Sequence, residues 1–266
     1  MTPDFTSHQV LVAFLVCVGA AAATIIGSVF IIRANVENPR LLSFGLAFAA
    51  GAMVYVSLVE IFVKSISAYT SVYGDPMGYK IATLAFFGGM GLLVLLDKLV
   101  PNPHASMDHH PHGESQKQLK RVGMMAALAI TAHNVPEGMA TFFATLDDPV
   151  VGAPLAFAIA VHNVPEGVSI AIPVYYATGS KWKALGAVTI SALAEPLGAI
   201  LGFAILAPFL NQAVYGGVFG AIAGAMVFLA LDELLPAAKR YSSGHETAYG
   251  LIMGMAALAL SLVLFK

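Results

Sequence analysis

Eight apolar runs, at about residues 10–32, 41–63, 78–96, 122–146, 152–176, 184–206, 215–235 and 248–265, make up most of this chain of 266 residues. Each is long enough, or nearly so, to cross about 30 Å of hydrocarbon as a helix. Backbone in lipid finds no water to bond, and a helix satisfies its N–H and C=O groups within one segment. The separators carry breakers: Asn38-Pro39, Gly74-Asp75-Pro76, Pro101-Asn102-Pro103, Asp148-Pro149 and Thr178-Gly179-Ser180. With 58% hydrophobic and 11% charged residues, the chain cannot cover its own surface with polar groups; soluble domains carry about 25% charged residues. The fold class expected is an all-α polytopic membrane protein with eight transmembrane helices. Residues 1–266 form one transmembrane domain, with the lipid bilayer as its solvent.

Basic residues set the orientation. The linkers after runs 1, 3, 5 and 7 hold Arg33 and Arg40; Lys98, Lys117, Lys120 and Arg121; Lys181 and Lys183; and Lys239 and Arg240, which is ten of the thirteen Lys and Arg residues. By the positive-inside rule these linkers face the cytoplasm and both termini face outward. The first nine residues contain no Lys or Arg and carry Asp4, so the first run is expected to stay as a membrane span. A net charge of −2 gives no basic face for nucleic acid. The single Cys17 lies in an apolar run and cannot form an intrachain disulfide.

Two of the runs carry the same polar hexapeptide. His133-Asn134-Val135-Pro136-Glu137-Gly138 recurs letter for letter as His162-Asn163-Val164-Pro165-Glu166-Gly167. His and Glu four residues apart share a helix face one turn apart. Glu137, Glu166 and Glu195 lie well inside expected spans and Glu60 lies towards the end of one, while no Lys or Arg lies at comparable depth. Insertion scales put such a set of acids at on the order of 10 kcal/mol. Their cation therefore comes from outside, as protons or metal. Neutral imidazole beside carboxylate suits Zn²⁺, Fe²⁺, Mn²⁺ and Co²⁺, and a site without thiolate disfavours Cu⁺. Pro136 and Pro165 cannot donate to the carbonyls of Ala132 and Val161, so each helix is expected to bend there and expose backbone to a cavity.

Other polar residues read more simply. Glu60 reads either as a ligand or metal-entry carboxylate or as a plain interfacial acid, and Asp97, Asp232 and Glu233 fall near span ends, where headgroup-level acids are ordinary. His8 and His245 read as exposed. The polar loop at residues 101–120 contains His104, His109, His110 and His112, and reads either as a loose cytoplasmic metal-binding tract or as a plain linker.

Internal matches suggest a duplicated design. Gly51-Ala52-Met53-Val54-Tyr55 matches Gly224-Ala225-Met226-Val227-Phe228 and sets Glu60 opposite Glu233. Ala23-Thr24-Ile25-Ile26-Gly27 more weakly resembles Ala194-Glu195-Pro196-Leu197-Gly198. With the topology above, helices 1–3 pair with 6–8 and helix 4 with 5 as inverted repeats, a way that many secondary transporters build alternating access. Glycines at four-residue spacing (Gly216, Gly220 and Gly224; Gly198 and Gly202; Gly250 and Gly254) read as packing faces.

The tandem motif, taken with Ser191-Ala192-Leu193-Ala194-Glu195-Pro196-Leu197-Gly198, resembles the ZIP family of divalent metal transporters, and within it the bacterial ZupT branch. The resemblance covers nearly the whole chain. It implies uptake of Zn²⁺, with Fe²⁺, Mn²⁺ and Co²⁺, into the cytoplasm across the bacterial plasma (inner) membrane. It also implies two adjacent metal positions. The first would use His133, Glu137, His162 and Glu166. The second would use Asn134, Glu137, Asn163, Glu166 and Glu195, with Glu137 and Glu166 bridging. Members of the family often have Gln or Asp where this chain has His162 and Asn163, which leaves the metal preference open. Three carboxylates are one short of neutralising two divalent ions, and Glu60 would supply the fourth if helix 2 borders the site.

The metal is substrate here, and no catalytic cofactor is expected. A membrane-embedded metal-dependent hydrolase is the alternative from another class, but the H-E-x-x-H helix it would use is absent. An exporter of the same ions is not excluded by sequence polarity. No G-x-x-x-x-G-K-[ST] loop is present for ATP-driven pumping. The oligomeric state stays open, a homodimer included.

Overall fold

The computed structural model describes residues 5–33, 39–99, 131 and 134–265, and no strand occurs among them. Helix α1 spans Ser7–Arg33. Helix α2, Pro39–Val56, runs through a π turn at Ser57–Ile61 into α3, Phe62–Tyr73, and α4 is Met77–Leu99. Residues 134–147 form α5. Then come α6, Pro149–Thr178; α7, Lys181–Leu206; and α8, Gln212–Leu229, which passes through a second π turn at Ala230–Leu234 into α9, Leu235–Tyr241. The last helix, α10, is Glu246–Phe265.

Six stretches among the described residues are long and apolar enough to cross a membrane: Ser7–Val29, Ser43–Tyr73, Met77–Leu95, Lys181–Phe209, Gln212–Tyr241 and Glu246–Leu264. The run expected at 122–146 lies partly outside the described residues, and α6 covers the one expected at 152–176. Large apolar side chains such as Leu84, Ile190 and Leu264 point away from the bundle, as a lipid-facing surface requires.

Turn chemistry explains where helices begin and stop. Asp148 caps α6, accepting a hydrogen bond from Val150 N at 2.9 Å, and Pro149 takes the first helical position, where no N–H is needed. Gly179 ends α6 with φ 65°, a left-handed conformation that costs glycine nothing. Ser180 then caps α7 and Asn211 caps α8, each accepting from the backbone N–H three residues on.

The helices fall into two packed groups. In one, α1 lies against α6 and α7, and α6 against α7; in the other, α10 lies against α2, and α8 against α3 and α4. Helices α2 and α10 also border α6, so the groups share a face. Glycines set the closest approaches. A Cβ on Gly27 would collide with the carbonyl of Val164, and one on Gly198 would meet that of Val135. Gly167 is pressed against Thr24 in the same way, and Gly138 against Glu195. In the second group Gly51 meets Leu251 as Gly224 meets Phe86, and Gly254 meets Phe48 as Gly89 meets Ala221. These contacts come in equivalent pairs under the matches that align α1 with α7, α5 with α6, and α2 with α8.

The π turns follow the same correspondence. The alignment of Gly51 with Gly224 places Ser57–Ile61 on Ala230–Leu234, so both halves carry the extra helical residue at one position. Glu60, Asp232 and Glu233 lie within these π turns, and the helices continue beyond them to Tyr73 and Tyr241. The sequence pattern ended those runs a few residues beyond these acids, at residues 63 and 235. Once the π turn is accommodated, helix continues past them.

Arg40, in the first turn of α2, donates from Nε to Ser243 Oγ at 2.9 Å and pairs with Glu246, the first residue of α10, at 3.5 Å, tying the starts of these two helices together. At the opposite end, the Phe5 ring packs edge-on against Phe203, with centroids 6.5 Å apart.

Backbone-to-backbone packing leaves no rotamer to absorb an added side chain. Gly198→Val is expected to cost more than the about 1–3 kcal/mol of ordinary overpacking. Gly88→Ala, where a Cβ meets open space, is expected to be close to neutral. Thermal melting of the two purified variants in one detergent checks the contrast.

Candidate metal centre

The site forms where α5, α6 and α7 converge, with α1 closing a fourth side. Asn163 and Glu166 sit near the middle of α6 and Glu195 near the middle of α7. A helix of 26 residues is about 39 Å long, so these groups lie many ångströms from either end. Asn134, Glu137, His162, Asn163 and Glu195 are fully buried and Glu166 is 3% exposed. The glycines described above allow this depth. Gly138 and Gly167, one residue after each carboxylate, let α7 and α1 approach to backbone contact.

The polar groups are joined across helices. His162 Nε2 lies 3.1 Å from Glu137 Oε1, linking α6 to α5. Asn163 Nδ2 donates to Glu195 Oε1 at 2.7 Å and to Ala20 O at 3.0 Å, linking α6 to α7 and α1. Asn134 Nδ2 donates to Ser191 O at 2.9 Å and Ser191 Oγ at 3.2 Å. Both amides therefore spend their N–H end on a backbone carbonyl of a neighbouring helix. Their oxygen ends are fixed by default.

Six ligand-type atoms remain buried with no hydrogen-bond partner: Asn134 Oδ1, Glu137 Oε2, His162 Nδ1, Asn163 Oδ1, Glu166 Oε1 and Glu195 Oε2. An unsatisfied buried polar atom costs about 1–3 kcal/mol, and a charged one more. Six together stand at roughly 10 kcal/mol, too much for a packing device. Glu137, His162 and Glu166 also present one ligand atom each within 4.8 Å of one another, the spacing at which one ion could be shared. Imidazole nitrogen, carboxylate and amide oxygen suit a divalent transition ion, and nothing in the set suits a soft monovalent one.

The structure thus brings together Asn134, Glu137, His162, Asn163, Glu166 and Glu195. His133 and the loop histidines His104, His109, His110 and His112 lie outside the described residues. Glu60 sits in the π turn of the α2–α3 span, half-buried. The motif reading missed the part taken by α1. Its Ala20 carbonyl receives the Asn163 amide, and Cys17 Sγ donates to Gly138 O at 3.7 Å, immediately beside Glu137. The run of small residues from Gly19 to Ala23 was the available signal, since only a narrow helix face can come so close.

Comparison with known proteins identifies the family. A profile of the ZIP zinc transporter family matches residues 100–262. The zinc transporter ZupT of Neisseria meningitidis serogroup C is 60% identical over 266 residues, spanning 99% of each chain. That of Xanthomonas axonopodis pv. citri is 57% identical, spanning 98% of this chain and 97% of its own. That of Oceanobacillus iheyensis is 47% identical, spanning 96% and 98%. These relatives are named as transporters, and the hydrolase alternative is set aside with them. The chain belongs to the ZIP family of zinc transporters.

Proposed function

We propose that this chain is a secondary transporter that takes up Zn²⁺, together with Fe²⁺, Mn²⁺ and Co²⁺, into the bacterial cytoplasm. Ions pass through an intramembrane binuclear site. Its ligands are His133, Asn134, Glu137, His162, Asn163, Glu166 and Glu195, and Glu137 and Glu166 are shared between the two ions. The observation that carries the reading is the set of six unpartnered ligand atoms on three neighbouring helices. The names of the relatives agree with zinc as substrate.

The chemistry follows from the donors. An ion entering from outside exchanges its water for imidazole, amide and carboxylate, and the carboxylates offset the cost of carrying charge to this depth. Without thiolates the ion is held firmly enough to shed water and loosely enough to leave. Eight spans with both termini outside, and inverted pairing of helices 1–3 with 6–8 and of 4 with 5, complete the proposal. The equivalent glycine contacts and the equivalent π turns support that pairing. Such an arrangement lets two halves expose one site to each side in turn.

Proteoliposomes loaded with a Zn²⁺ indicator test the main reading. Wild-type protein is expected to raise internal Zn²⁺, and Glu166→Ala to lower the initial rate at least tenfold while the protein remains inserted. Equal rates would overturn the site, and flux only from the cytoplasmic face outward would overturn uptake.

Glu60 is the proposed fourth carboxylate, at the metal entrance or as a ligand. Glu60→Gln is expected to reduce the number of ions bound per chain or to shift the Zn²⁺/Mn²⁺ preference. Elemental analysis of metal-saturated protein reads the first and competition uptake the second. If both stay at wild-type values, Glu60 has no part in the site.

A further inference from the structure

The contacts around the site occur in equivalent pairs, and one pair is chemically unequal. Asn134 donates to the carbonyl of Ser191 on α7, and Asn163 donates to the carbonyl of Ala20 on α1. One turn further along, four residues on, stand Glu195 on α7 and Thr24 on α1. The same equivalence holds in the packing, where Gly138 is pressed against Glu195 and Gly167 against Thr24. Thr24 therefore occupies on α1 the place that Glu195 occupies on α7.

Its hydroxyl lacks the bond that several helical threonines make, as do those of Thr70 and Thr141. Such a hydroxyl usually bonds back to the carbonyl one turn earlier. Thr83, Thr145, Thr178 and Thr189 all do so, at 2.7–2.9 Å. For Thr24 that carbonyl belongs to Ala20, which already receives the Asn163 amide in addition to the N–H that helix geometry assigns it. The Thr24 side chain is fully buried and its Oγ1 has no partner. An oxygen with two lone pairs is thus left free one turn of α1 beyond the carbonyl that the Asn163 amide occupies.

We propose that Thr24 is a further ligand of the metal centre, giving its hydroxyl oxygen to the ion from α1 as Glu195 gives its carboxylate from α7. The site is then walled by four helices, and its two halves differ by one negative charge. A neutral oxygen where α7 has a carboxylate lowers the charge that holds the ion, and as a hard donor it adds more to Mn²⁺ and Fe²⁺ than to softer competitors such as Cd²⁺. This inference rests on the proposed transport site, and its test separates the two.

Thr24→Val keeps the shape and removes the oxygen, whereas Thr24→Ser keeps the oxygen. Zn²⁺ and Mn²⁺ binding to purified protein is titrated calorimetrically, and uptake in proteoliposomes is measured with Cd²⁺ as competitor. Thr24→Val is expected to weaken Mn²⁺ binding about tenfold and Zn²⁺ binding less, and to raise the Cd²⁺/Mn²⁺ uptake ratio. Thr24→Ser is expected to restore both. Wild-type affinities and ratio in Thr24→Val, in a preparation where Glu166→Ala abolishes uptake, would overturn the role of Thr24 and leave the site standing. An unaffected Glu166→Ala would overturn the site itself. If Thr24→Val fails to insert, Thr24→Asp tests the idea from the other side. Placing the missing carboxylate on α1 is expected to tighten Zn²⁺ binding at least tenfold and slow its release, and wild-type affinity there would overturn the proposal.

Discussion

Polar atoms buried in a membrane protein must find a partner, and in the proposed metal centre the partners are divided between backbone and ion. Two asparagines give their N–H ends to carbonyls on α7 and α1, which locks those helices to α5 and α6. What remains is a ring of oxygens and one imidazole nitrogen with nothing to bond. Helix packing and ion coordination are therefore one problem here. The glycines beside the carboxylates bring the helices close enough for the amides to reach, and the amides turn the ligand atoms inward.

Much of this was legible in the residues. The duplicated hexapeptide named the carboxylates, the imidazole and the amides, because polar side chains are too costly at that depth to be kept for packing alone. Breakers at Asp148-Pro149 and Thr178-Gly179-Ser180 fell where α6 begins and ends. The motif did not reveal α1. Its contribution is made through a backbone carbonyl and small side chains, and neither has a signature in a hydropathy pattern. Nor did hydropathy reveal the π turns, or that the helices of the second and seventh runs continue to Tyr73 and Tyr241. A π turn admits acids into a helix that continues past them, and hydropathy gives no sign of the extra residue.

The paired contacts also account for where glycine is required. At Gly27, Gly138, Gly167 and Gly198 the neighbour is main chain, so no larger residue fits without moving a helix. At Gly88 and Gly186 there is open space, and the same letter carries no such requirement. A count of glycine motifs would rank these positions together. Only the three-dimensional neighbour separates them.

The Asn163 amide also bears on how this sequence can change. Its N–H end occupies the carbonyl of Ala20, the one to which the unpartnered Thr24 hydroxyl would otherwise bond back. An acid at position 163 has no N–H to give. The Ala20 carbonyl would then be open again to the hydroxyl of residue 24, which would be drawn out of the centre as a charge was added to it. Positions 24 and 163, far apart in the chain, are thus coupled through a single backbone oxygen, and substitutions at one are expected to be tolerated or not according to the residue at the other.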